Sequence, residues 1–329
     1  MDRASASSWS PPWSPHVLFV ALYSGDSFVP TAVRAARHLN ISSAPSSPQF
    51  HAVVNKLSPP LPTWFRQWPI SDMPRDAQQE HKNLSRGKPH GATVFLWKPL
   101  LYRLVLLDKV IVLDLDIVML DSVGISRLWA EFDSFGPNQV LGIASEQGPT
   151  YFRYGRHAGV NGGVQLQYLA RMRQRAVGVD GAVADGTYDE ALRLCAAGGC
   201  KQWDQVEPSL GDQTLYTRLC LLRPHLCHRL PCGWNRQMST KFYSVGNFRT
   251  DWHACDSPCS LLHFNQPLLE GVVPILQTTD TRLSCAECRS GMKTLANRTR
   301  SRSSKNPKFA WGASKVYMAE VIDKCCCSG

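Results

Sequence analysis

The sequence predicts an α/β fold, a mixed and mostly parallel sheet flanked by helices within a single large domain. Two observations carry that expectation. Short runs rich in Val, Ile, Leu and Phe recur at residues 16–22, 50–54, 110–113 and 140–144, the pattern of strands buried on both faces. Apolar residues at helical spacing alternate with these runs over roughly 250 residues, as βα units require. At 329 residues with 43% hydrophobic content, the chain has ample material for one such core. No internal repeat is detectable.

Residues 1–15 are rich in Ser, Pro and Trp and are expected to be disordered. Residues 16–22 read as a first buried strand, followed by a polar turn at 23–27. Phe28, Val29, Ala32, Val33, Ala36 and Leu39 then recur at helical spacing, with Pro30 acceptable in the first turn. Strand, loop and helix in this order match the opening of a nucleotide-binding α/β fold, without the Gly-x-Gly-x-x-Gly phosphate loop. Residues 42–48 read as a loop and 50–54 as a second strand. The Pro/Trp-rich stretch 58–74 gives no signal for regular structure. Residues 93–107 form an apolar, helical segment interrupted at Lys98-Pro99.

The run Val110-Ile111-Val112-Leu113 ends in Asp114-Leu115-Asp116. In extended backbone an i, i+2 pair projects to one side. Buried acid pairs are costly unless a cation or hydrogen-bond donors neutralise them. Ligands of open α/β sheets collect at the carboxyl ends of strands, where this pair falls. One reading is a divalent metal holding a phosphorylated ligand; the other is a solvated turn.

Beyond the acids, 125–135 reads as a helix and 140–144 as a strand. Asn161-Gly162-Gly163-Val164 reads as a tight turn entering another strand, its glycines permitting close backbone approach. A basic helix is expected at 169–176 and a Gly/Ala/Asp-rich surface insertion at 178–201. Gly211-Asp212-Gln213 precedes a helix at 214–222, where the polar side chains are either functional or simple caps. Residues 230–235 read as a loop, and 260–265 as a last short strand carrying His263.

The net charge of +10 favours anionic partners, but much of the excess falls in a Ser/Asn/Thr-rich basic tail within 281–329. No nucleic-acid motif accompanies it, so nucleic acid is not an expected partner. All twelve cysteines lie at or beyond Cys195. The pairs Cys255/Cys259 and Cys285/Cys288 have zinc-ligand spacing, and disulfides in an oxidising compartment are the preferred alternative. Sequons at Asn40, Asn83 and Asn297 point the same way. No stretch reaches the roughly 18 apolar residues of a membrane span. The first fifteen residues hold no apolar signal-peptide core.

In their order and spacing these blocks resemble glycosyltransferase family 8, the retaining enzymes of GT-A (Rossmann-like) fold. Within it the likeness is to the glucoside xylosyltransferases and the xylosyltransferase domain of LARGE-type enzymes. It spans residues 16–267, in a catalytic domain expected over 16–280. It rests on Lys98 sixteen residues before the acid pair, the Asn161-Gly-Gly-Val turn, Gly211-Asp-Gln, Leu230-Pro-Cys-x-Trp-Asn and the strand-end His263.

The resemblance implies Asp114, Asp116 and His263 as ligands of Mn²⁺, a set of hard oxygens and one imidazole. It implies a UDP-sugar donor contacted by Leu22, Ser24 and Phe28 at the uracil, and by Lys98, Leu115, Asn161 and Gly162 elsewhere. It places Asp212 and Gln213 beneath the anomeric carbon, either as nucleophile or as stabilisers of positive charge, with same-face attack preferred. It further implies a glycan or glycoprotein acceptor and the Golgi or another secretory lumen. Xylose is the first donor expected, then glucose or galactose. The chain departs from some relatives at Pro267-Leu268-Leu269, where they carry a diphosphate-binding Lys. Two alternatives stay open: a haloacid-dehalogenase-type phosphohydrolase using Asp114 and Asp116, and a catalytically silent glycan-binding relative.

Overall fold

The computed structural model describes residues 14–22, 28–41, 47–55, 60–86, 90–120, 124–147, 159–174, 188–196, 211–237, 255, 257–264, 286, 290 and 325. Its centre is a seven-stranded sheet ordered β3-β2-β1-β4-β7-β6-β8. The strands are β1 His16–Ala21, β2 Gln49–Val54, β3 Phe65–Pro69, β4 Val110–Leu113, β6 Leu141–Ser145, β7 Val160–Gln167 and β8 Cys227–Leu230. Neighbours are parallel except where β7 runs antiparallel to both β4 and β6. A smaller sheet, β5-β10-β9, comprises Ile117–Met119, Leu261–His263 and Arg236–Gln237. The α/β expectation therefore holds, with helices on both faces.

After His16, β1 and the neighbouring β4 are apolar throughout because both of their faces are covered. Val17 and Phe19 join one core cluster with Ala35, Ala36 and Leu39 of α1 (Phe28–Ile41), Ile125 and Leu128 of α4 (Gly124–Ala130), and the small sheet. Leu18 and Val20 join the other, under α2 (Arg75–Ser85), α5 (Leu169–Arg173), α6 (Tyr188–Ala196) and α7 (Asp212–Leu222). Fully burying a side chain such as Leu18 contributes on the order of 2 kcal/mol, so this alternation fixes which helix lies on which face.

Several expectations need correction. The stretch 58–74 contains β3, whose Phe65 and Trp68 are buried while Arg66 and Gln67 face outward. Among the described residues it pairs only with β2, as an edge strand, where a terminal Pro69 costs no ladder bond. The apolar segment 93–107 is α3 (His90–Phe95) followed by a 3₁₀ turn at Lys98–Arg103, because Pro99 stops a continuous helix. Asn161-Gly162-Gly163 is not a turn but lies inside buried β7. Residues 188–196 are no surface insertion: Tyr188 and Leu192 are core residues. The basic helix ends at Arg173. Zinc is not the use of Cys255 or Cys259, which form disulfides with Cys232 and Cys325; Cys220 pairs with Cys227. The N-terminal 1–13, the turn 23–27, residues 178–187 and 197–201, and Cys285 and Cys288 lie outside the described residues.

Candidate metal and catalytic site

The acid pair lies where the chain leaves one sheet for the other. The Asp114 amide still donates to Gly163 O of β7 (2.9 Å), while the Asp116 carbonyl accepts from Phe264 N just past β10 (2.9 Å). Between them the backbone turns at Leu115 and Asp116 rather than staying extended, which corrects the strand geometry expected for the pair. Leu115 packs against the apolar cluster beneath α1. The turn swings Asp116 toward β10, whose last residue is His263.

His263 Nε2 lies 3.6 Å from Asp114 Oδ2 and 3.3 Å from Asp116 Oδ1. Ligand atoms of the three residues fall within 4.8 Å of one another. His263 Nδ1 lies 3.0 Å from Asn235 Oδ1. That amide oxygen only accepts, so Nδ1 carries a proton. Nε2 is the nitrogen that faces the acids, donating toward Asp116 while the ring is charged and free to offer its lone pair to a cation once the ring is neutral. Burial disfavours a charged His263, yet Asp116 and Asp114 outweigh it and raise the imidazole above its ordinary value. The site thus favours positive charge, and its two carboxylates and one imidazole could hold a divalent cation that prefers oxygen and nitrogen donors over thiolates. Gly163 makes room: a Cβ there would sit 2.0 Å from His263 Cε1.

Lys98 is no surface lysine, being 1% exposed. Its Nζ donates to Asp114 Oδ1 (2.6 Å) and Gly162 O (3.0 Å) and lies 3.3 Å from Asp212 Oδ2. Burial would depress its pKa, but the two carboxylates more than reverse that and hold the ammonium firmly charged. All three N–H bonds are committed inside the protein.

Asp212 opens α7 after Gly211, whose φ of 65° lies in the left-handed region that glycine tolerates. It is not the cap of its helix. Its carboxylate faces Lys98 and accepts from Gln165 Nε2 (3.0 Å). Burial, helped by the Asp114 charge, pushes its pKa up to about 6 against the pull of Lys98 and Gln165. Gln213 donates its side-chain amide to Glu146.

Asn161 is buried, its Oδ1 accepting from Gly163 N (3.0 Å) and Asn235 Nδ2 (2.9 Å), and its Nδ2 donating to Glu146 Oε2 (3.0 Å). The expected residues Lys98, Asp114, Asp116, Asn161, Gly162, Asp212, Gln213 and His263 are thus brought together, while the Leu115 side chain packs into the apolar cluster beneath α1. Leu22 follows the end of β1 on the same edge, since Phe19 pairs with Leu113, and its carbonyl accepts from Asn55 Nδ2 (3.1 Å). Phe28 opens α1, and its side chain lies outside the described residues, as does Ser24.

Glu146, Gln165 and Asn235 join the site without being expected there as site residues from the sequence. A signal existed in β7, where Asn161, Gln165 and Gln167 interrupt a fully buried strand. Buried amides are costly unless paired, so such a strand announces a polar network. The register between β6 and β7 also shifts between Ile143 and Ser145, and bulges of this kind cluster beside active sites.

No family model matches the chain. It is 25% identical to xyloside xylosyltransferase 1 of Homo sapiens over 210 residues, covering 58% of this chain and 51% of that protein. It is 35% identical to the xylosyl- and glucuronyltransferase LARGE2 of Mus musculus over 144 residues, covering 40% of this chain and 18% of that one. The chain therefore spans about half the length of the first relative and about a fifth of the second. Among solved structures it superposes on mouse xyloside xylosyltransferase 1 in its apo form with a TM-score of 0.60 at 20% identity, covering 77% of this chain and 98% of that one. The galactosyltransferase LgtC, solved with donor and acceptor sugar analogues, gives 0.53 at 17%, covering 77% and 88%. The chain is thus similar in sequence to xyloside xylosyltransferase 1 and LARGE-type enzymes, and it has the GT-A fold of the solved structures it superposes on.

Proposed function

We propose that this protein is a Mn²⁺-dependent retaining glycosyltransferase that moves a sugar from a UDP-sugar to a glycan or glycoprotein acceptor. The observation that carries the reading is the convergence of Asp114, Asp116 and His263 beside Asp212 and Gln213. Xylose is the leading donor, given what the relatives are named for. Three disulfides among the described residues support a secretory lumen.

Asp114, Asp116 and His263 would hold the cation, which supplies neutralising charge for a departing nucleoside diphosphate. The Asn235 bond fixes the His263 tautomer, so the ligand set needs little reorganisation. Lys98 holds Asp114 and Asp212 at a fixed separation and tempers their mutual repulsion. Asp212 and the Gln213 carbonyl offer negative potential to a sugar ring developing oxocarbenium character, the arrangement needed for attack on the leaving-group face.

The test is a panel of UDP-sugars and simple phosphate esters, with and without Mn²⁺, on wild type and Asp116→Asn. Asp116 is the cleaner ligand to remove because Lys98 binds Asp114 instead. Turnover of a UDP-sugar should require Mn²⁺ and fall at least about 100-fold in the variant, with the melting temperature little changed. Phosphate ester cleavage without UDP-sugar turnover would establish a phosphohydrolase instead.

A further inference from the structure

Glu146 stands one residue beyond β6, is 6% exposed, and has no part in the ligand set or the reaction described so far. Its backbone N–H donates to Gly159 O (2.8 Å), which anchors it beside the start of β7. Its Oε2 accepts from Asn161 Nδ2 (3.0 Å) and from the Gln213 side-chain amide. A carboxylate at this site offers only acceptors, so both amides must turn their NH₂ groups toward it.

That constraint propagates in two directions. Asn161 then presents Oδ1 to Gly163 N and to Asn235 Nδ2, and Asn235 in turn presents Oδ1 to His263 Nδ1. One chain of hydrogen bonds thus runs from Gln213 through Glu146, Asn161 and Asn235 to the metal-facing histidine. In the other direction Gln213 is left with Oε1 turned away from Glu146, 3.5 Å from Asn161 Nδ2. A primary amide that flips exchanges a carbonyl for an NH₂ group, so its dipole at the reacting carbon changes sign.

We infer that Glu146 is a positioning residue, which locks the side-chain amides of Gln213 and Asn161 so that the Gln213 carbonyl oxygen faces the anomeric centre while His263 keeps its Nε2 lone pair for the cation. The inference rests on the glycosyltransferase reading for its kinetic consequence, but the orientation itself is measurable without turnover.

The experiment compares Glu146→Leu, Glu146→Gln, Gln213→Ala and the double variant Glu146→Leu/Gln213→Ala. Glu146→Leu should lower kcat about 10- to 100-fold, the effect typical of losing an orienting partner, with the donor KM within about twofold. Glu146→Gln should recover most of that loss, because an amide oxygen in the Oε2 position accepts the same two bonds. The double variant should be slower than Gln213→Ala by clearly less than the full Glu146→Leu factor, since Glu146 acts in part through Gln213 and for the rest through Asn161. In a ¹⁵N spectrum the Gln213 side-chain amide signals, assigned by their absence from Gln213→Ala, should shift in Glu146→Leu.

Multiplicative losses in the double variant, or a Glu146→Gln enzyme as slow as Gln213→Ala, would make Glu146 an independent charge and overturn the inference. So would unmoved amide signals in Glu146→Leu. A wild type that turns over no UDP-sugar would refute the function proposed above, and the amide spectra would still decide the role of Glu146. If Glu146→Leu does not fold, Glu146→Gln carries the kinetic comparison, because full charge dependence there contradicts positioning.

Discussion

A single ammonium group decides how the ligand-free site holds together. Lys98 is buried between Asp114 and Asp212, and among the described residues it is the Lys or Arg that contacts both. Buried carboxylates without a counter-charge are expensive, and removing one partner from such a set typically costs about 3–5 kcal/mol. Lys98→Met should therefore lower unfolding free energy by about that much, read as a drop in urea midpoint at unchanged m-value. Lys98→Arg should not restore it, because a planar guanidinium cannot replace a compact, fully buried ammonium that bonds Asp114, Asp212 and the Gly162 carbonyl at once. A midpoint unchanged in Lys98→Met would mean that Asp114 and Asp212 are neutralised by other means. The importance of this residue was visible in the sequence only through its spacing from the acid pair. Its burial was not, because three-dimensional enclosure by β7 and α7 leaves no trace around Lys98-Pro99.

At the scale of elements, the site depends on how β10 is held against the 3₁₀ turn Cys232–Asn235. Gly233 N donates to Ser257 Oγ (2.7 Å), Ser260 N donates to Gly233 O (3.0 Å), and the Cys232–Cys255 disulfide spans 23 residues across the same junction. Asn235 and His263 are the outer ends of these two stapled segments. A loop of this length corresponds to roughly 3 kcal/mol of stabilisation. The Cys232→Ser/Cys255→Ser variant should lose about that in stability. Its Mn²⁺ affinity, followed by titration calorimetry with UDP present, should weaken about 10-fold as the Asn235 bond to His263 loosens. An intact Mn²⁺ affinity in that variant would show that hydrogen bonds alone hold the junction. The sequence exposes the strands of this region well and the junction poorly. A four-residue apolar run such as Val110–Leu113 declares itself locally, whereas a disulfide partner is a long-range choice among twelve cysteines. The edge strand β3 and helix α2 escaped notice for a related reason. One is punctuated by prolines and the other buries only Ala77, Glu80 and Leu84, so neither has a strong periodic signature.

Across the whole molecule, two histidines outside the Asp114–Asp116–His263 set tie layers together in their neutral form. The Met119 N–H donates to Nε2 of His38 (3.1 Å), joining α1 to the small sheet. His51 accepts from Trp68 Nε1 at Nδ1 (3.3 Å) and meets His16 Nδ1 through its own Nε2 (3.0 Å), joining β1, β2 and β3. Burial lowers His38 to about 4 and, with the nearby His16 and Arg66 charges, lowers His51 to about 3. In the unfolded chain both return to about 6.5, so below that pH the unfolded state binds more protons than the folded one. Their contribution is complete above about pH 6.5 and is lost as the pH falls toward the folded values. At pH 5 each costs about 2 kcal/mol relative to pH 7, taking about 1.4 kcal/mol per unit. Asp212 works in the opposite direction, because its raised pKa lets the folded state gain protons as the pH falls through about 6, but its share is common to any variant that leaves it alone. His38→Gln keeps an acceptor for the Met119 amide and removes the titration. Its loss of unfolding free energy between pH 7 and pH 5 should be smaller than that of wild type by about 2 kcal/mol. Parallel pH profiles for the two proteins would mean that His38 is already protonated in the folded state, and that α1 meets the small sheet through a charged ring.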